Sequence, residues 1–240
     1  MPNFPENAKQ VLGFDLTSQQ IRVFQVYAAT LLEWNQKINL TAITDMEQIE
    51  TKHFLDSLTT IPILKEFSAK DLIDIGTGAG FPGIPIKILL PEVNVTLVES
   101  IGKKVDFCRE VIAKLDLHGI QAIQGRAEEL GQKPDYRERF DVGIARAVAQ
   151  LDILAEYLLP LLHLGGHMLA QKGNTGPEEV QKSEHAIHIL GGKAIKIIPV
   201  TLPGICEDRY IISINKVSAT PQKYPRRVGI PAKRSIKAAE

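Results

Sequence analysis

The sequence predicts an α/β protein with a mostly parallel sheet, a terminal antiparallel hairpin and an N-terminal helical cap. Three observations carry this. Residues 72–83, LIDIGTGAGFPG, set a short apolar run against three alternate glycines, and an apolar stretch over 84–90 follows. That is the pattern of a buried strand, a tight turn and a helix start. Apolar runs then alternate with stretches of helical period, as in βα units. The last two strand-like runs, 194–200 and 210–215, are separated by some ten residues, too few for a crossover helix, so they pair antiparallel.

In chain order, residues 1–16 show no clear period. Thr17 then offers a helix cap with Gln20 three residues on. Ile21, Phe24, Ala28, Leu31 and Leu32 recur at helical spacing to about Gln36. A second helix starts after Asp45 and runs to about Thr60, before Pro62. Strands are expected at 72–75, 93–99, 120–124, 140–145 and 167–170, the last beginning after Gly165-Gly166. Between them, Ile101, Val105, Cys108, Ile112 and Leu115 mark one helix face, and a Leu-rich helix spans about 151–162. Cys108 falls on the apolar face and reads as core. Pro177 suits the first turn of a further helix ending near Gly191-Gly192. The expected division is a helical cap (1–65), an α/β domain (66–216) and a basic C-terminal arm (217–240).

The glycine turn carries the chemistry. Gly76, Gly78 and Gly80 supply backbone angles and close approach that a Cβ would forbid. Glu99, twenty-one residues beyond Gly78, ends the second strand, where an acid accepts hydrogen bonds from ribose hydroxyls. A nucleoside-bearing cofactor is implied. Two patterns overlap: G-x-G-x-G from Gly76 suits S-adenosyl-L-methionine, and G-x-G-x-x-G from Gly78 suits a dinucleotide. Pro82 removes an N–H where a pyrophosphate would need helix N-terminal donors, and adenosylmethionine has no phosphate. The terminal hairpin also fits the seven-stranded, Rossmann-like sheet of adenosylmethionine-dependent methyltransferases. Both points favour that cofactor; an NAD-dependent oxidoreductase and a non-catalytic RNA-binding or assembly protein are the alternatives.

Composition bounds the rest. The chain has 240 residues, 44% hydrophobic, enough for one sizeable core. No apolar run approaches the roughly 20 residues that cross a bilayer, and the N-terminus lacks the blocks of a signal peptide. Two cysteines, Cys108 and Cys206, suggest a reducing, cytoplasmic setting. Net charge is zero, yet residues 209–239 contain no acid and carry Arg209, Lys216, Lys223, Arg226, Arg227, Lys233, Arg234 and Lys237. Such asymmetry makes a local anion-binding surface or a solvated tail. His185 and His188 share a helix face without a third ligand, so no metal site is indicated.

Several motifs together resemble the glucose-inhibited division protein B (GidB, RsmG) family, over nearly the whole chain. They are Trp34-Asn35-Gln36-Lys37-Ile38-Asn39-Leu40-Thr41, Lys52-His53-Phe54-Leu55-Asp56-Ser57-Leu58, the turn from Asp74 to Pro85, Arg126-Ala127-Glu128-Glu129, Ala145-Arg146-Ala147, Gln171-Lys172-Gly173 and Lys223-Tyr224-Pro225-Arg226-Arg227-Val228-Gly229-Ile230-Pro231. The family is similar in being guanine-N7 methyltransferases of small-subunit (16S-type) ribosomal RNA, so the resemblance implies that activity, with the RNA or the small ribosomal subunit as partner. Carried over by position, it places cofactor contacts at Gly76, Phe81, Glu99, Ser100, Ile101, Ala127, Glu128 and Arg146, beside Gly78 from the turn. Ser235 departs from the proline frequent in the family there. A monomer without membrane association is expected.

Methyl transfer to guanine N7 uses a lone pair already in the ring plane, so alignment matters more than proton removal, and no essential general base is expected. Arg146 either orients cofactor or guanine with its planar fork or pairs with a loop carboxylate. His53 and Asp56, three apart on a helix face, either line the cleft or bond each other. Arg126 and Lys172 face RNA phosphate or solvent, with solvent the simpler expectation. In the arm, read as extended and non-helical, basic residues neutralise RNA phosphates and Tyr224 stacks on an unpaired base. Deleting 217–240 is then expected to weaken RNA binding and leave cofactor affinity alone. Glu99→Ala is expected to weaken cofactor binding with little loss of folding.

Overall fold

The computed structural model describes Met1 and residues 3–237. Helices α1 (Phe4–Leu12) and α2 (Ser18–Asn35) come first, then α3 (Met46–Gln48), which continues through a π-helical segment (Ile49–Leu55) into α4 (Asp56–Leu58), and α5 (Ile61–Phe67). The βα region follows as β1 (Asp71–Ile75), α6 (Gly83–Leu89), β2 (Asn94–Glu99), α7 (Gly102–Lys114), β3 (Ile120–Gln124) and α8 (Ala127–Leu130). Next are β4 (Phe140–Arg146), α9 (Leu151–Leu158), a 3-10 turn (Leu159–Leu161), β5 (Leu162–Lys172), α10 (Gly176–Ile189), β6 (Gly192–Val200), β7 (Arg209–Lys216) and α11 (Ile230–Lys233). No helix among the described residues is long and apolar enough to cross a membrane.

The chain forms two compact units, the first comprising residues 1–70, 77–124 and 201–206, the second 71–76, 125–200 and 207–240. In the first, β2 and β3 pair in parallel with Glu99 opposite Gln124. Its core is aromatic. Phe4, Phe24 and Phe54 meet at centroid distances of 5.0–5.9 Å, and Trp34 stands edge-on to Phe107. Helix α1 was not expected from the sequence. Phe4, Ala8 and Leu12 are buried at i, i+4 spacing and Gly13 closes it in the left-handed conformation, but nine residues are too short to show a period. The expected Thr17–Gln20 capping box is present on α2. The motif around Asn35 closes that helix: its side chain accepts the Leu40 and Thr41 N–H groups and donates to the Thr41 carbonyl. The second helix region continues past Pro62, which sits in the first turn of α5 where its missing N–H costs nothing.

In the second unit the strand order is β1-β4-β5-β7-β6. β1, β4 and β5 run parallel, and β5·β7 and β6·β7 are antiparallel, so the terminal hairpin forms as expected. The start of β5 was misplaced: it begins at Leu162, and the glycines lie within it. Pairing with β4 shifts between Phe140 and Val142, and regular register resumes at His167. A Cβ at Gly166 would stand 2.9 Å from the Asp141 carbonyl oxygen, so glycine permits this close approach. The buried Lys216 ammonium, at the end of β7, donates to the Leu159 carbonyl at 2.7 Å and to the Thr220 hydroxyl, with Glu138 3.6 Å away. Burial lowers its pKa to about 8.

Candidate cofactor site

The turn in the first unit is organised by Glu99, which is only 8% exposed. Its Oε1 accepts the N–H groups of Ser100 (2.7 Å) and Ile101 (2.9 Å) and the Ser100 hydroxyl (3.2 Å). Its Oε2 accepts the Gly78 N–H at 3.2 Å. A carboxylate offers about four lone-pair sites, so Oε2 keeps room for one further donor, which suits a ribose hydroxyl. The same bonds correct one expectation. Glu99 also ties the glycine turn to the tip of β2, so Glu99→Ala costs folding free energy as well as affinity.

Three further donors of the turn are also used within the protein. Thr77 N–H goes to the Val98 carbonyl, and those of Gly80 and Phe81 to the Thr77 carbonyl, at 2.9–3.1 Å. Pro82 has none. Gly78 and Gly80 hold φ of 59° and 87°. A Cβ at Gly80 would stand 2.4 Å from Ile84 Cδ1 and 2.7 Å from the Tyr27 hydroxyl, which donates to the Ala79 carbonyl.

Phe81 is buried, its ring stacked with those of His53 at 4.6 Å and Tyr27 at 5.3 Å. His53 Nε2 lies 2.8 Å from Thr41 Oγ1. The π winding of 49–55 breaks the α-helical spacing on which the shared face of His53 and Asp56 was argued. Asp56 is buried, and His53 links Phe81 to the Thr41 loop. Ser100 is part-buried, Ile101 is half exposed, and Cys108 is core, as expected.

In the second unit, Gly76 follows β1 with φ of 70°, and a Cβ there would stand 2.6 Å from Val148 Cγ2. Arg146, part-buried, ends β4 opposite Gln171. Ala147 follows with φ of 56°, a conformation disfavoured for alanine and found more often where function constrains the chain. Lys172 does not face free solvent: it pairs with Glu179 at 2.7 Å and donates to the Ala149 carbonyl. Glu179 also accepts the Leu151 N–H at the start of α9. Lys172 and Glu179 therefore fix the loop that follows Arg146. Ala127 and Glu128 open α8, both buried, after exposed Arg126.

The C-terminal segment is docked rather than extended and solvated. Arg226 donates through its main-chain N–H and guanidinium to Glu156, which is 1% exposed. The Tyr224 ring is buried and cannot stack on an RNA base. Arg209 is part-buried at the start of β7. Of the arm's RNA candidates, Lys223 and Arg227 stay exposed. A short helix, α11, interrupts the arm, and residues 238–240 of the arm as expected lie outside the described residues. Glu156 and Glu179 were missed by sequence reasoning; each lies on a helix, and nothing local announces partners 70 and 28 residues away.

A family model described as rRNA small subunit methyltransferase G (GidB) matches residues 20–203. A protein of Desulforamulus reducens named ribosomal RNA small subunit methyltransferase G is 48% identical, with 96% of each chain covered. Its namesake in Acetivibrio thermocellus is 50% identical over 93% of this chain and 92% of its own. Among solved structures, an O-methyltransferase from Bacillus cereus crystallised with SAH covers 88% of this chain and 96% of its own, at 18% identity and a TM-score of 0.58. A putative O-methyltransferase from Klebsiella pneumoniae gives 0.57 at 14% identity, covering 89% and 96%. These likenesses show the mixed α/β methyltransferase fold. With the family match spanning most of the sequence, the chain belongs to the rRNA small subunit methyltransferase G (GidB) family.

Proposed function

We propose that the protein transfers the methyl group of S-adenosyl-L-methionine to N7 of a guanine in small-subunit ribosomal RNA. The observation that carries the cofactor is the state of the glycine turn: the N–H groups of Thr77, Gly78, Gly80 and Phe81 serve Val98, Glu99 and Thr77 rather than a pyrophosphate, while Glu99 keeps an acceptor for a ribose. The relatives' names supply the RNA class.

Residues proposed to hold the cofactor are Gly76, Gly78 and Phe81 in the glycine turn, Glu99 at the ribose, and Ser100, Ile101, Ala127, Glu128 and Arg146. Each follows or ends a strand at its carboxyl end, where α/β sheets bind ligands. When bound, the sulfonium supplies an electrophilic methyl that guanine N7 takes in line, with no proton leaving the base. The chain's task is then alignment, worth up to roughly 7–11 kcal/mol. Arg146, at the end of β4 before a loop fixed by Lys172 and Glu179, is the candidate for orienting the base or the cofactor. His53 acts through Phe81, and Asp56 is given no proton-transfer role. Lys223 and Arg227, with Arg126, face the RNA backbone. The protein acts as a cytoplasmic monomer, with 1–65 as cap, 66–216 as cofactor domain and 217–240 as arm.

The test is transfer of labelled methyl from S-adenosylmethionine to small-subunit RNA from cells lacking the protein, with the site mapped. One N7-methylguanine is expected. RNA binding without transfer would favour a non-catalytic assembly role, and NADH binding in its place would favour the oxidoreductase.

A further inference from the structure

Helix α8 is a single turn, too short to fix its own position, and it starts at Ala127-Glu128. The arm grips it and the loop that follows. Buried Glu128, 5% exposed, accepts the Gly229 N–H at 3.0 Å. Gly131 approaches the arm so closely that a Cβ would stand 2.7 Å from Pro225 Cγ. Gln132 donates to the Pro225 carbonyl at 2.6 Å. Arg137 donates to the carbonyls of Gly131, Tyr224 and Thr220 at 2.7–2.8 Å. The arm is anchored separately by Arg226 on Glu156 of α9. Between α8 and the arm lies a cleft of about 580 Å³, with Glu128 and Gln132 on one side and exposed Lys223 and Arg227 on the other.

We infer that the docked arm positions the Ala127-Glu128 turn, so that RNA engaging Lys223 and Arg227 and cofactor engaging that turn strengthen each other's binding. The inference rests on the proposed function. Glu128 is the positioning residue. Its carboxylate faces the arm, while its main chain stays with the turn. Phosphates held by Lys223 and Arg227 favour the docked arm, and the docked arm holds the turn where the cofactor needs it. Coupling of this kind is reciprocal. It also reverses the expectation that removing 217–240 leaves cofactor affinity unchanged.

Hydrogen exchange on the full chain, with and without saturating S-adenosylmethionine, tests it. The cofactor should slow exchange across 223–231, including Gly229. Glu128→Ala should abolish that slowing, and Glu128→Gln, which keeps a carbonyl acceptor, should restore part of it. Glu184→Ala, an exposed acid on α10, should change nothing. A small-subunit RNA fragment should raise cofactor affinity about fivefold or more, the lower range of measured couplings, and Glu128→Ala should remove the gain. Cofactor binding to the wild type with arm exchange unchanged would overturn the inference alone. A chain that binds no cofactor would overturn the proposed function with it.

Discussion

Glu99 and Glu128 solve one problem in two ways. Both are buried acids, Glu99 at the end of β2 and Glu128 in α8, and each accepts the N–H of a glycine at positive φ, Gly78 at 59° and Gly229 at 78°. Glu99 finds its glycine 21 residues away, whereas Glu128 finds its own 101 residues away. The first latch closes a short turn–helix–strand segment within the first unit. The second exists only after the C-terminal arm has docked, so its strength depends on every other contact holding the arm.

The largest effect should come from breaking the distant latch at its anchor. Arg226→Ala leaves the Glu156 carboxylate buried without its cation, and removing one partner of a buried pair costs about 3–5 kcal/mol. Urea unfolding should show that loss. A change below about 1 kcal/mol, the scale of exposed pairs, would mean the arm is held by packing alone.

The turn that carries the local latch should tolerate an added methyl group less well than the distant latch does. Gly80→Ala meets Ile84 and Tyr27 and sits at φ of 87°, so strain and overpacking together should cost about 2–4 kcal/mol. Gly229→Ala has no atom within 4 Å of its new Cβ and only the strain of φ 78°, so it should cost about 1 kcal/mol. Equal losses would erase the difference in crowding.

This contrast explains what could be read from the sequence. The glycine turn, Glu99, β3 and the antiparallel β6·β7 pair were legible because spacing along the chain determines them. The arm was misread because its Pro, Gly and basic composition describes a solvated tail, while its partners Gln132, Arg137, Glu128 and Glu156 lie 70–101 residues earlier. Gly165-Gly166 are expected to precede the fifth strand but lie inside it, because a glycine pair gives the same signal when it is absorbed as an irregularity within a strand.

A further effect is a pH dependence at the root of the arm. Burial lowers the Lys216 pKa to about 8, against 10.5 for an ordinary lysine. Between those values the unfolded chain binds more protons at this site, so its contribution to stability rises with pH from about 8 to 10.5 and is flat below. Chemical denaturation of the wild type and Lys216→Met at pH 7.5, 9 and 10 should show a difference that moves in favour of the wild type as pH rises, over roughly the pH units the shift spans. A difference independent of pH would mean the ammonium is not buried as described.

The central claim is that the carboxylate at the end of β2 holds the sugar of a sulfonium nucleoside. Calorimetric titration of S-adenosylmethionine into wild type and Glu99→Gln, each first shown to unfold cooperatively above the working temperature, tests it most directly. The wild type should bind, and the variant, which exchanges a charged acceptor for a neutral one, should bind about tenfold more weakly or worse, a loss in the range of a charged hydrogen bond. Wild-type affinity in a folded Glu99→Gln would contradict the claim.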